Sequence, residues 1–388
     1  MPNESSDSRT PIVIAARRLP TAKGGGAYKD IRAHDLAVPL FAAVLGQAPL
    51  IPAEVDDVIL GNATGGGGNV ARLAALSAGL PITVPGLTVD RQCGSGLEAI
   101  VLACRLIQAG AGENYLAGGV ESISTAPARA HKRPDGGLDF FERAQFSPLA
   151  MGDPDAGVAA ENVAHHFGVT RSRQDAYALE SHRRAVAASR SGRFAAELLP
   201  LAGLAADQGL RPTLTEGLLA RFPAAFVDGG TVTAGNSCPF SDGAAVVLVT
   251  TLERARSVGM PGLVFIDSAV AGNDPKLLGV GAAASTRLLT QRIGREPNGG
   301  LVEFNEAFAA QVLATADVLD WDPARFNLDG GALALGHPYG ASGAVSVVRL
   351  FAQASERGQA GAQALAMISM AGGMGISTLF EWHAAKPR

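Results

Sequence analysis

Cysteine is scarce: the chain of 388 residues has three, Cys93, Cys104 and Cys238, all widely spaced. No Cys-X-X-Cys pair occurs and no histidine stands nearby at ligand spacing, so the common zinc frameworks are excluded and no metal is expected. The odd count points to reduced thiols in a reducing compartment. Long apolar runs are missing too. Nothing approaches the roughly 18 uninterrupted apolar residues that cross a bilayer, and Met1 to Thr10 lacks the basic and apolar regions of a signal peptide. A soluble cytoplasmic protein that makes no membrane contact is the expectation. An excess of one charge is also absent, since 32 basic against 36 acidic residues leave a net charge of -4. That balance argues against a general nucleic-acid binder. Arginine outnumbers lysine, a composition bias without functional content. What is present is apolar: 47% hydrophobic and 18% charged residues suffice for a large core, divided into two or three domains.

Segments rich in Val, Ile and Leu alternate with amphipathic ones, the pattern of an α/β protein with mostly parallel strands. Thr10 to Ala16 reads as a strand, His34 to Leu45 as a helix, Asp57 to Leu60 as a strand and Val70 to Ala78 as a helix. Leu87 to Val89 is a short strand running through Asp90-Arg91-Gln92 into Cys93-Gly94-Ser95-Gly96. A helix over Leu97 to Ala109 follows, with Gly110 as its stop. The second half repeats the plan. Gly262 to Ala269 and Leu301 to Phe304 read as strands around a helix at Ser285 to Ile293. Phe326 to Leu335 leads into Gly336-His337-Pro338-Tyr339-Gly340-Ala341-Ser342-Gly343, and an apolar helix follows from Ala344 to Gln353. Between the halves, 125–230 is looser and more polar, with an exposed loop near His131 to Gly137 and a basic helix over Arg171 to Ser189. The expected division is residues 1–124 with 231–258, an inserted segment 125–230, and 259–388.

Cys93 sits where a buried strand gives way to a helix, between glycines that leave its backbone open to a ligand. A helix N-terminus stabilises thiolate and lowers a cysteine pKa, although most lone cysteines are small buried hydrophobes. His337 occupies the equivalent turn of the second half. If both helix starts face one cleft, its imidazole can take the Cys93 proton; a histidine before proline in a glycine-rich turn is otherwise structural. Asn305 follows a strand end, either as an amide donor to an oxyanion or as a helix cap. Gly372-Gly373 fits a tight hairpin. Gly65 to Gly68 is no phosphate loop, because no Lys-Ser/Thr follows.

Six motifs in order carry a resemblance to the thiolase family: Cys93 to Gly96, Gly118-Gly119-Val120-Glu121-Ser122, Thr233 to Asn236, Asp242 to Ala245, Asn305-Glu306-Ala307-Phe308-Ala309 and Gly330 to Gly343. The resemblance implies a five-layered αβαβα core of two pseudo-symmetric halves with an inserted loop domain, assembled as a homodimer or homotetramer. It implies acyl-CoA substrates and no tightly bound cofactor, with coenzyme A itself a substrate. By it, Cys93 is the acylated nucleophile and His337 its base. Asn305 with His337 forms one oxyanion hole through a water, and the N–H groups of Cys93 and Ala371 form the other. It carries coenzyme A contacts to His182, Phe226, Ser237, Cys238, Leu278 and Phe308.

One departure concerns the second half of the reaction. Thiolases carry a second cysteine in a Cys-Ile-Gly-Gly-Gly type turn, and here the aligned residue is Ser369, whose hydroxyl is far too weak an acid for the α-carbon proton. Asp155 and Cys238, which align with a histidine and a serine of the family, are the candidate substitutes, because a desolvated carboxylate or a thiol can be tuned toward neutral pH. The expected reaction is thiolysis of a 3-oxoacyl-CoA or the reverse Claisen condensation. A decarboxylating condensing enzyme of ketoacyl-synthase type and a non-catalytic acyl-CoA binder are the rivals.

Overall fold

The computed structural model describes residues 7–297 and 299–385. The first half contributes β1 (Pro11–Arg18), β2 (Ala22–Lys23), α1 (Ala33–Leu45), β3 (Asp57–Gly61), α2 (Val70–Ser77), β4 (Gly86–Val89), α3 (Ser95–Ala109) and β5 (Tyr115–Glu121). A hairpin of β6 (Arg129–Lys132) and β7 (Leu138–Phe141) follows, then α4 (Ala156–His166), α5 (Arg171–Arg190) and α6 (Glu216–Leu219). The chain returns through β8 (Ser241–Thr251) and α7 (Leu252–Ser257). The second half holds β9 (Gly262–Gly272), α8 (Gly281–Ile293), β10 (Leu301–Phe304), α9 (Ala309–Leu319), α10 (Ala332–Leu335), α11 (Tyr339–Arg357), β11 (Gln363–Met370) and β12 (Met374–His383).

The strands run β4-β3-β5-β8-β1 in one half and β10-β11-β12-β9 in the other, joined where Ile12 and Val13 of β1 pair with Val264 and Leu263 of β9. Parallel pairs (β3 with β4 and β5; β10 with β11) give way in both halves to antiparallel ones toward the junction. The match fails at one place. The third strand expected in the second half is a single parallel bridge, Val302 to Phe326, because the chain turns at once into Asn327 and Gly330, both at positive φ.

Side-chain alternation along the strands builds the layers. Val247 and Val249 of β8 pack inward with Ala364, Ala366 and Ile368 of β11, around Ile100 and Ile107 of α3 and Val347 and Leu350 of α11. Val246 and Leu248 face outward against Leu36, Leu40 and Phe41 of α1. Leu365 and Met367 face the opposite outside, against Leu289 of α8 and Val312 of α9. Helices therefore lie outside, between and outside the two halves of the sheet, in five layers. Each fully buried Val, Leu or Ile contributes about 1.5–3 kcal/mol.

Two glycines let the central helices touch near their first turns. A Cβ on Gly96 would stand 2.7 Å from the Gly340 carbonyl, and one on Gly343 would stand 2.6 Å from the Leu97 nitrogen. Only glycine permits that approach, and it sets the Cys93 and His337 turns side by side. The expected start of α11 at Ala344 was therefore late: the helix begins at Tyr339, directly after His337-Pro338, with proline at its N-cap.

Residues between β5 and β8 are tied to both halves by buried charge. Arg18 pairs with Glu197 and Asp207 at 2.7 Å each, and Arg349 pairs with Glu303 at 3.1 Å and Glu197 at 3.5 Å. Phe194 lies under both guanidinium groups. The tip of the β6–β7 hairpin carries Arg133 to Gly137 and is largely exposed, as the sequence predicts. Among the described residues no helix is long and apolar enough to cross a membrane, and no three His, Cys, Asp or Glu side chains cluster to hold a metal ion.

Candidate active site

The turn from β4 into α3 is braced by its own side chains. Asp90 Oδ1 accepts from the Gln92 N–H at 2.8 Å, while Ser95 Oγ accepts from the Arg91 N–H at 2.8 Å and donates to the Gln92 carbonyl at 2.5 Å. These bonds hold Gln92 at φ 50°, a left-handed conformation that costs a non-glycine residue energy. Cys93, partly buried, follows immediately. Its thiol is pushed up to about 12, chiefly by burial; the Ala371 N–H acts in the opposite sense and the Glu121 charge adds a smaller push upward. The expectation that the helix start lowers this pKa is thus corrected: desolvation outweighs the helix terminus, and the resting thiol is neutral.

The partner turn is held as firmly. The His337 N–H donates to Ser241 Oγ at 3.2 Å, and Nδ1 lies 2.6 Å from Ser342 Oγ. Ser342 gives its single proton to the Pro338 carbonyl at 3.1 Å, so Nδ1–H donates to the hydroxyl and the Nε2 lone pair is left free. Nε2 is buried and has no partner among the described residues. Burial lowers the imidazole to about 3 and keeps it neutral. Tyr339 packs edge-on against the ring at 5.1 Å.

Two carboxylates that the sequence reading did not single out fix the surrounding backbone. Glu121, at the end of β5, accepts from Asn62 Nδ2 at 2.9 Å, Thr64 Oγ1 at 2.6 Å and the Ala63 and Gly340 N–H groups at 3.0 and 2.9 Å. It thereby clamps the start of α11 to the end of β3. Glu306 accepts from Tyr177, Ser181, Asn327 and the Leu333 N–H at 2.7–3.1 Å. The signal for Glu121 was an acidic residue at the end of an otherwise apolar strand, and for Glu306 an acidic residue in the turn two positions past the end of β10. Asn305 is anchored through its N–H to the Met367 carbonyl at 3.1 Å, while its buried Nδ2 has no partner among the described residues.

The remaining candidates divide. Ala371 in the β11–β12 hairpin aims its N–H at the Cys93 thiol. Gly372 and Gly373, at φ 80° and 74°, form the tight turn expected there. Cys238 donates its N–H to the Ala307 carbonyl at 2.9 Å, and its thiol is near enough to Cys93 for that charge to raise it further above a value already raised by burial. Ser237 bridges to Phe308, and Phe308 meets the Phe226 ring edge-on at 6.0 Å. Leu278 lies in the 3-10 turn Pro275–Val280. His182 is buried on α5, lowered to about 4 by burial and by Arg211, and lines a cavity of about 430 Å³ with Arg183, Arg190 and Arg211. Ser369 is buried with its hydroxyl donating to the Gly279 carbonyl at 2.7 Å and accepting from the Ala282 N–H at 3.0 Å. Asp155 departs from expectation. It stands at the N-cap of α4 with its side chain 70% exposed and paired with Arg143, so the desolvation required of a tuned carboxylate is missing.

Comparison with known proteins finds relatives along nearly the whole chain. Residues 11–253 match the family model for the thiolase N-terminal domain and 261–382 that for the thiolase C-terminal domain. The protein named "Putative acetyl-CoA C-acetyltransferase YhfS" of Bacillus subtilis strain 168 is 44% identical over 374 residues, 95% of this chain and 98% of that one. The crystal structure of the Bacillus anthracis acetyl-CoA acetyltransferase superposes with a TM-score of 0.89 at 35% identity, over 96% of this chain and 99% of that one. Human mitochondrial 3-ketoacyl-CoA thiolase in complex with CoA gives 0.90 at 31% identity, over 97% and 99%. The chain belongs to the thiolase family.

Proposed function

We propose that the chain is a coenzyme A-dependent acyltransferase of the thiolase type, passing acyl groups between coenzyme A and carbon through an acyl-Cys93 thioester. The observation that carries this reading is the buried, unpartnered Nε2 of neutral His337, in the turn before a helix whose start touches that of the helix after Cys93. A nucleophile that rests as a thiol needs a base, and a neutral imidazole with a free lone pair is one. Cys93 Sγ adds to the thioester carbonyl of an acyl-CoA while its proton passes to His337. The N–H groups of Cys93 and Ala371 receive the developing oxyanion, and coenzyme A departs. Asn305 Nδ2 is the free donor for the second oxyanion, through a water beside His337. The names of the relatives, acetyl-CoA C-acetyltransferase and 3-ketoacyl-CoA thiolase, support acetyl or longer 3-oxoacyl substrates.

The segment 125–230 would shape the coenzyme A site, with the apolar Phe226 and Phe308 for pantetheine and the basic cavity at His182 for phosphate. The free edge of β4 is flanked by Leu73, Leu76, Ile82 and Leu87, which are 39–82% exposed, and this face suits pairing with a second copy in a homodimer. Three unpaired cysteines support a reducing, cytoplasmic setting, and fatty acid metabolism is the corresponding role. Intact-mass measurement after incubation with acetyl-CoA tests the central step. An acetyl adduct that disappears in Cys93→Ala is expected, and an unmodified parent protein would refute acylation.

A further inference from the structure

The carbon half of the proposed reaction needs a group that exchanges a proton with the α-carbon. Both hydrogen-bonding directions of Ser369 are used, toward Gly279 and Ala282. Cys238 is placed differently. With its N–H on the Ala307 carbonyl, and with neighbouring Ser237 bridging Phe308 and Phe240 bridging His337, it is held between the Asn305–Phe308 turn and the His337 turn. Cys238 as a residue is partly buried, the Cys93 charge acts on its thiol, and both thiols act on the Tyr339 phenol that packs near His337. The same two turns carry Asn305 Nδ2 and His337 Nε2, each on a side chain at most 5% exposed and each without a partner among the described residues. We propose that Cys238 is the second catalytic residue of this chain, the thiol that gives a proton to the α-carbon in cleavage and takes it in condensation. The proposal rests on the thiolase-type reading above.

The step balances. In cleavage, Cys93 thiolate, its proton on His337, adds to the ketone carbonyl of a 3-oxoacyl-CoA. The bond from that carbonyl to the α-carbon breaks, the shortened acyl group stays on Cys93 as a thioester, and the electron pair stays on the α-carbon, which takes the Cys238 proton to give acetyl-CoA. Cys238 thiolate then removes the proton of incoming coenzyme A. The resulting thiolate displaces the acyl group from Cys93, and Cys93 recovers its proton from His337. Burial raises the Cys238 thiol, so it rests protonated, as a donor must.

Cys238→Ser and Cys238→Ala separate the two halves. Acylation of Cys93 by acetyl-CoA, read by intact mass, needs no α-proton; deuterium uptake into the acetyl-CoA methyl group and thiolysis of acetoacetyl-CoA both do. The adduct is expected still to form in both variants, more slowly because coenzyme A leaves without the Cys238 proton, while exchange and thiolysis fall at least about a hundredfold, the contribution of a general acid-base group. Exchange within about threefold of the parent in either variant would overturn the proposal. Loss of the adduct together with exchange in the near-isosteric Cys238→Ser would assign Cys238 to the shape of the site and overturn it equally. If the parent itself gave no adduct, the thiolase-type reading would fail, an outcome distinct from both.

Discussion

Two clusters of buried polar groups lie in this chain and are completed in opposite ways. Around Arg18 each partner is matched: Arg18 with Glu197 and Asp207, Arg349 with Glu197 and Glu303, and Gln353 with Glu303 at 2.8 Å. Around Cys93 the backbone is anchored with equal care, yet His337 Nε2 and Asn305 Nδ2 are left open. A buried polar atom without a partner costs about 1–3 kcal/mol. The matched cluster serves architecture, joining the segment after β5 to both halves. The open one keeps its bonding capacity for something that arrives.

The contrast breaks first at the open cluster. His337→Ala is expected to lower the rate of Cys93 acylation by about 10²–10⁴, the range for a lost general base, measured by stopped acetyl transfer and mass. Arg18→Met attacks the matched cluster and should leave Asp207 buried without its ion-pair partner and Glu197 with Arg349 alone. It is expected to cost about 3–5 kcal/mol in urea unfolding, more than His337→Ala does. The reverse order of stabilities would refute the division. A smaller effect is expected where the two helix starts meet. Gly343→Ala adds a Cβ at 2.6 Å from the Leu97 nitrogen, an overpacking worth about 1–3 kcal/mol. Because it also separates the Cys93 and His337 turns, acylation should slow in the same variant.

Much of the open cluster is legible along the chain, and almost none of the matched one. The Cys93 turn, the helix ending at Gly110 and the second glycine-rich helix start are local, so spacing alone marks them. Arg18 meets Glu197 and Asp207 across 179 and 189 residues, a distance at which no periodicity operates. Glu121 and Glu306 stand inside motifs the sequence displays, but their role as clamps depends on donors brought in from distant helices and turns. Asp155 shows the converse. Its place before a helix is visible in the sequence, whereas its exposure and its pairing with Arg143 are tertiary facts. The one-residue bridge at Phe326 was hidden because a repeat predicts equivalent positions and not equal strand lengths.

The pH-dependent effects have opposite signs in the two clusters and so test the comparison directly. Glu303 is raised from 4.5 to about 7, because burial outweighs the attraction of Arg349. Its folded form holds the proton more tightly than the unfolded chain does, so its contribution to stability is lost as pH rises from 4.5 through about 7. His337 is lowered from 6.5 to about 3 by burial, so there the unfolded chain binds the proton more tightly and stability is lost as pH falls through that interval. His182, lowered to about 4, adds to the same acid limb. Urea midpoints measured across the pH range should therefore show Glu303→Gln flattening the loss on the alkaline side and His337→Asn flattening the loss on the acid side. If Glu303→Gln keeps the alkaline slope, attraction to Arg349 outweighs burial. The Arg18 cluster would then be matched in charge as fully as it is in geometry.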